Sequence, residues 1–356
     1  MSTKYKILIL GASYGSLLGA KLLLAGHTVK LICLPAEADL INAEGIRVRL
    51  PVKDAVGMVE LDSRTMAGKL SAGGPESADP ADYDLVALAM QEPQYRSPGV
   101  RELLQSVAKA KVPCMSIMNM PPLPYLQRIP GVDVQACRAA YTDAAVWDAF
   151  DPAYMTLCSP DPQAFRPPEE KVNVLQVRLP TNFKSARFES DQHTAILRQL
   201  EADIDAIRFD AGGRKIELPV KLKVHDSVFV PLAKWAMLMA GNYRCVTRDG
   251  MRAIREAVHS DIDASRAMYN WVVALCVDLG ADAKDMVPFE KYANAASSLL
   301  NPSSAARALY GGAPYIERVD QLVQLVAKQK GRSSPVLDEV VMLVDRQLEK
   351  NRAAKK

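Results

Sequence analysis

Residues 7–10, Ile-Leu-Ile-Leu, run without a polar side chain into a turn that reads Gly11-Ala12-Ser13-Tyr14-Gly15-Ser16. From Leu17 to Ala25 apolar residues continue at helical length until Gly26 stops them, and Thr28 to Cys33 is again rich in β-branched residues. A strand, a glycine turn, a helix and a second strand in so short a span leave one simple arrangement. The two strands, beginning at Lys6 and Thr28, pair in parallel through a right-handed crossover. A parallel pair must be covered on both faces, which commits this end of the chain to a layered α/β sheet.

The next hundred residues keep the alternation. Leu40 to Ala43, with Asp39 available as its cap, reads as a short helix stopped by Gly45; Arg47 to Leu50 and Val59 to Leu61 are strand candidates. Residues 63–83 carry Gly, Pro, Ser and Asp and read as loop. Leu85 to Met90 and Cys114 to Met118 are buried strands around a helix at Val100 to Ala110. The middle predicts strands at Val132–Tyr141, Ala153–Cys158, Val172–Arg178, Arg187–Glu189 and Ile216–Lys223, with an amphipathic helix at Asp191–Ile207. From Val228 the pattern turns wholly helical: Phe229–Tyr243, Thr247–His259, Ser265–Leu279, Ser303–Tyr310, Tyr315–Lys328 and Pro335–Lys350, before a solvated tail to Lys356. That change predicts two domains, 1–226 and 227–356, the first with an enlarged β-rich segment at about 145–222.

Composition narrows the partners. Lys+Arg 44 against Asp+Glu 41 gives a net charge of +3, which offers neither nucleic acid nor an anionic membrane surface an attractive field. No apolar stretch approaches the ~18 residues of a spanning helix, and the N-terminus lacks the h-region of a signal peptide, so a cytoplasmic protein is expected. Six cysteines at wide spacing, with no CxxC pair, read as free, buried thiols and not as a zinc site; no metal is expected.

Placed between a strand and a helix, the Gly11–Ser16 turn can bring backbone N–H groups against a dinucleotide pyrophosphate. It departs from GxGxxG, with Ser13 where the second glycine would stand and Gly15 one residue early. Two other readings stay open: a tight turn that binds nothing, and the GxSxG nucleophile elbow with Ser13 as nucleophile and His193, His225 or His259 downstream.

Several segments in order resemble the ketopantoate reductase (2-dehydropantoate 2-reductase) family. They are the glycine turn, Ala25-Gly-His-Thr-Val-Lys-Leu-Ile, Leu40 to Val48, Tyr83 to Ala89 and Ile117-Met-Asn119-Met. In the helical part they are Ala233-Lys234-Trp235, Ser303-Ser304, Ile316 to Asp320 and Ser334-Pro335. The resemblance implies an α/β fold with an N-terminal Rossmann-like parallel sheet and a C-terminal all-α domain. It also implies NADP or NAD as cofactor, leaning to NADP, and reduction of a 2-oxo acid or related carbonyl compound. The alternative is a dinucleotide-binding protein of the same fold that has lost hydride chemistry.

Carried over residue by residue, the resemblance assigns cofactor contacts to Gly11, Ser13, Tyr14, Gly15, Ser16, Gln91 and Asn119, and substrate contacts to Asn119, Ser303, Ser304 and Glu317. Gln91 stands where the family often has lysine, and Cys33-Leu34-Pro35 replaces its 2′-phosphate arginine. The family's catalytic lysine and asparagine fall on Met237 and Gly241; a shifted register offers Lys234 as general acid with Asn242 eight residues on, Glu317 completing the catalytic set. Structural readings of the same residues are a strand-end turn for Asn119, a helix cap for Ser303, and solvated positions for Lys234 and Glu317. His225-Asp226 is a possible acid–base pair or a structural one. The apolar faces of Ser265–Leu279 and Pro335–Lys350, and the pairing common in this family, imply a homodimer acting on a small-molecule substrate.

Overall fold

The computed structural model describes residues 3–53 and 57–354, so positions 355 and 356 of the tail lie outside the described residues. The chain divides into two compact units, residues 1–90, 94–125 and 146–226 in one, and 91–93, 126–145 and 227–356 in the other.

Among the described residues all fourteen strands belong to the first unit: β1 (Lys6–Leu10), β2 (Thr28–Ile32), β3 (Arg47–Pro51), β4 (Met58–Asp62), β5 (Lys69–Gly73), β6 (Leu85–Leu88), β7 (Cys114–Ile117), β8 (Met155–Ser159), β9 (Gln163–Phe165), β10 (Val174–Leu179), β11 (Phe183–Ala186), β12 (Phe209–Asp210), β13 (Lys215–Ile216) and β14 (Leu222–His225). Eight of them form one sheet in the order β14-β11-β8-β7-β6-β1-β2-β5, parallel at every junction except β8 with β11. The run β5-β2-β1-β6-β7-β8 is the doubly wound order, whose direction reverses between β1 and β6. A second sheet, β4-β3-β10-β9, draws its last two strands from the 145–222 segment.

Helix α1 (Tyr14–Leu24) is buried almost around its circumference, as nine consecutive residues from Gly15 to Leu23 indicate. It packs on β2 with one face and on β3 with another, and one core joins Ile7, Ile9, Val29 and Leu31 to Val48, Leu61 and Val177. Helices α2 (Pro35–Glu44), α3 (Val100–Ala110) and α4 (Asp191–Ala206) complete the unit. The second unit is helical: α5 (Lys234–Met237), α6 (Ile254–His259), α7 (Ile262–Asp278), α8 (Phe289–Ala296), α9 (Ser304–Tyr310), α10 (Val319–Gln329) and α11 (Pro335–Ala353). No helix among the described residues is long and apolar enough to cross a membrane.

Differences from the sequence pattern have local causes. The stretch 63–83 contains β5, whose outer edge is satisfied by a side chain: Asn42 donates to the Ala72 carbonyl (2.9 Å) and accepts its N–H (2.8 Å). Pro35 opens α2 at the first helical position, so Asp39 lies inside that helix and not at its cap. Val134–Cys137 is a helical turn instead of a strand because Asp133 caps it, accepting from the N–H of Gln135 (2.9 Å). The Ile216–Lys223 strand is broken at Pro219-Val220, where buried Val220 takes φ +63°, a costly conformation for a β-branched residue. The helix expected at Thr247–His259 is confined to Ile254–His259, and α8 falls in a stretch whose pattern assigns no helix.

The burial of α1 carries one polar cost. Lys21 is enclosed in the core face and donates to the Pro219 carbonyl beside the strained Val220. Burial first, then nearby Lys221, pull its ammonium down to about 7 from an ordinary 10.5. The unfolded chain keeps this proton up to about 10.5, so folding releases it between about 7 and 10.5 and stability from this site rises with pH there. Below about 7 the full cost is present, up to ~5 kcal/mol, offset by ~1–2 kcal/mol for the hydrogen bond to Pro219. Lys21→Met should therefore be the more stable form by ~3–4 kcal/mol at pH 6. Its advantage over the wild type should shrink steadily toward pH 10 in urea unfolding.

Candidate functional site

The first unit presents its candidate site where the sheet order reverses. Gly11 follows β1 with φ +102°, donates its N–H to the Ile32 carbonyl at the end of β2 (2.9 Å), and lies against the end of β6. A Cβ there would stand 2.6 Å from Met90 Cγ and 2.7 Å from the Ala89 carbonyl oxygen. Conformation and space both require glycine, which lets β1 turn past the end of β6 into α1. Ser13 is the N-terminal boundary residue of α1 without a side-chain cap bond, its carbonyl accepting the Ser16 N–H at 3.1 Å. The Ser16 hydroxyl turns inward to the Ala12 carbonyl, and the Tyr14 hydroxyl donates to Pro162 O (2.8 Å), tying the turn to the loop after β8. Gly15 serves packing instead, because its Cβ position lies 2.7 Å from Ile9 Cγ2 and a bare backbone there lets α1 sit down on β1. Asn119 is half-buried two residues past β7, at the same end of the sheet.

The turn stands at the end of β1 and the start of α1, where the pyrophosphate of a dinucleotide lies in sheets of this order. A hydrolytic elbow is poorly served: His225 ends β14, five strands from β1, on the order of 24 Å at ~4.8 Å per strand. The ring of His193 packs on Tyr154 and Phe188, with centroids 5.0 and 5.8 Å away.

In the second unit the stretch expected as one helix changes type along its length. A 3₁₀ turn at Pro231–Ala233 leads into α5, which begins with half-buried Lys234; Leu238–Asn242 is a π-helical turn and Tyr243–Cys245 a further 3₁₀ turn. Lys234, Leu238 and Asn242 are therefore not on adjoining turns of one α-helix. Tyr292 supplies the cause: its hydroxyl donates to the Met237 carbonyl (3.0 Å), and it fills the space where a side chain on Gly241 would go. Such single π turns recur at functional sites.

Asn242 and Tyr243 then hold two loops. The Asn242 carbonyl accepts the Ser303 hydroxyl (2.7 Å), while Ser303 also caps α9 by accepting the Ala306 N–H (3.1 Å); Ser304, the first residue of that helix, is exposed. The buried Tyr243 hydroxyl donates to the Glu317 carbonyl and accepts the Val319 N–H (3.1 Å). Glu317 is buried, against the solvated reading, and precedes α10; its Oε1 faces the N–H of Glu92 at 3.4 Å. Arg318 next to it is bidentate to buried Asp320 (3.0 Å twice) and bonds Asp345 (2.6 Å), which pins the loop from below.

Glu92, buried beside exposed Gln91, accepts from the N–H (3.0 Å) and hydroxyl (2.8 Å) of Thr142. Burial, followed by the adjacent Cys137, Glu92 and Glu317, pushes the Tyr141 phenol well above its ordinary range. Glu92, Thr142 and Tyr243 carry no spacing pattern; the one signal available for Glu92 is a charged residue directly after an apolar strand. No group of three or more His, Cys, Asp or Glu side chains placed to hold a metal occurs among the described residues, and the six cysteines are free.

Because Gly15 contacts Ile9 and not open space, Gly15→Asp should not leave the fold intact as a simple block to phosphate would. Even Gly15→Ala is expected to cost about 1–3 kcal/mol in denaturant unfolding, the range for overpacking a tight core.

No family model matches the sequence, and no curated protein does. Solved structures do. D-mandelate dehydrogenase, in its ternary complex with NADH and anilino(oxo)acetate, superposes with a TM-score of 0.63 at 15% identity, over 98% of this chain and 99% of that one. A ketopantoate reductase from Ralstonia eutropha JMP134 gives 0.61 at 15% identity, over 98% and 99%. The dimeric ketopantoate reductase of Staphylococcus aureus gives 0.58 at 10% identity, over 97% and 99%. Full-length coverage of both partners in each comparison, together with the doubly wound sheet and the helical second unit, establishes that this chain has the ketopantoate reductase fold.

Proposed function

We propose that this chain is an NAD(P)H-dependent oxidoreductase that reduces a 2-oxo acid or a related carbonyl compound. The observation that carries the reading is the glycine-only strand-to-helix turn at Gly11, at the reversal point of a doubly wound sheet, in a fold it shares with reductases and a dehydrogenase. The dinucleotide would supply the hydride. Gly11 to Ser16 would receive its pyrophosphate on the N-terminus of α1, with Gln91 and Asn119 as further cofactor contacts. Lys234 would donate a proton to the carbonyl oxygen as it becomes an alkoxide, with Asn242, eight residues on at the end of the π turn, as the second polar group of the set. Glu317 would accept a substrate hydroxyl, and Asn119, Ser303 and Ser304 would bind its polar end; of these, Ser303 has a hydroxyl already engaged at Asn242 and Ala306.

One observation favours the non-redox alternative. At Gly241, where ketopantoate reductases carry an asparagine, the Tyr292 hydroxyl takes up the room, and Met237 stands in the register of their lysine. Fluorescence titration with NADH and NADPH followed by a panel of 2-oxo acids separates the two readings. If Lys234 is the acid, Lys234→Ala should lower turnover roughly 10²- to 10⁴-fold with little change in cofactor affinity. A variant as fast as the wild type would leave dinucleotide binding without this proton donor.

We also propose a homodimer. The helices α7 and α11 expose Val277 (44%), Val336 (46%) and Met342 (52%), apolar surface that a partner would cover. Light scattering should then give twice the 38.9 kDa chain mass across the working concentration range.

A further inference from the structure

The second strand ends in Cys33-Leu34-Pro35, with neither an acid nor an arginine in the positions where a ribose is usually read. The fold supplies both from elsewhere. Glu37 lies in the first turn of α2, four residues past Cys33, and Arg166, directly after β9, pairs with its Oε1 through Nη2. Both charges act on the Cys33 thiol, which is pushed up to about 12 by burial first, then by Glu37, against an opposing pull from Arg166. The pair therefore stands at the end of β2, where the adenosine ribose of a dinucleotide bound over β1 arrives in sheets of this order.

Its charge decides what it can accept. A 2′-phosphate, near −2, needs a net positive surround, whereas Glu37 with Arg166 sums to zero and sets a carboxylate against the phosphate. A ribose 2′-hydroxyl needs only an acceptor held still. Arg166 fixes Oε1 of a carboxylate that is 13% exposed, and the arginine itself is 31% exposed. Resting on the dinucleotide reading above, we propose that Glu37, oriented by Arg166, is the acceptor for the ribose 2′-hydroxyl and makes this chain select NADH over NADPH. The segment 145–222 thereby gains a role: it delivers the arginine that holds the selecting acid.

The test is direct binding, read by fluorescence titration of the full chain with NADH and with NADPH, without any substrate. The wild type should bind NADH at least roughly tenfold tighter, the scale of one hydrogen bond to a charged group. Glu37→Gln removes the repulsion and releases Arg166, so the ratio should fall by roughly tenfold or invert. Arg166→Met leaves the negative charge in place, so the preference for NADH should hold or grow. A wild type that binds NADPH as tightly as NADH, or a ratio unmoved in Glu37→Gln, overturns the assignment. If Glu37→Gln fails to fold by circular dichroism, Arg166→Met decides alone, and a ratio below the wild-type one overturns it. A wild type that binds neither cofactor defeats the dinucleotide reading and this inference with it, an outcome distinct from a wrong ratio.

Discussion

Everything at the first unit's site depends on how closely the chain passes itself at Gly11. The β1 backbone leaves the sheet with φ +102°, bonds the end of β2, and runs within van der Waals range of the Ala89 carbonyl and Met90 at the end of β6. A side chain there would push β1 and β6 apart at the one point where strand order reverses. The same close pass sets where α1 begins, directly beyond the ends of β1 and β2. Gly15 extends the close fit four residues later by letting α1 descend onto Ile9.

The second unit solves a different problem, holding acidic and polar groups away from water without leaving them unsupported. Glu317 is buried, yet its main chain is clasped by Tyr243, its neighbour Arg318 is anchored by two aspartates, and its carboxylate faces the Glu92 N–H. The π turn makes this possible. With the Tyr292 hydroxyl added at the Met237 carbonyl and the helix widened to a π turn, the chain reaches Asn242 and Tyr243 with their acceptor and hydroxyl turned to Ser303 and Glu317. Buried polar groups bonded on several sides in this way are held in one arrangement.

The legible part of this protein is the part written in local periodicity. The β1–α1–β2 unit, the strands at Leu85 and Cys114, helix α4 and the C-terminal helices α7, α9 and α11 follow from apolar spacing and glycine stops within a few residues. Strand β5 is illegible because its partner is β2 and its outer edge is closed by Asn42, both distant in sequence. The break in the Phe229–Tyr243 helix is illegible for the same reason, since a tyrosine some fifty residues on claims one of its carbonyls. Ser303 can be read as a cap from its own neighbours, and it is one; its second bond, to Asn242, cannot.

By itself the sequence determined that a parallel βαβ unit opens the sheet, that a glycine turn joins its first strand to its first helix, and that the net charge is close to zero for a chain of this length. These are properties of residue type and short spacing. Only the tertiary structure decided what surrounds the second strand's end. Along the chain, Cys33-Leu34-Pro35 has no group for a ribose; folded, it has Glu37 and, from 129 residues further on, Arg166. The reason is physical: hydrogen bonds and charge pairs act over a few ångströms of space, and a β-sheet brings together segments that no window of sequence contains.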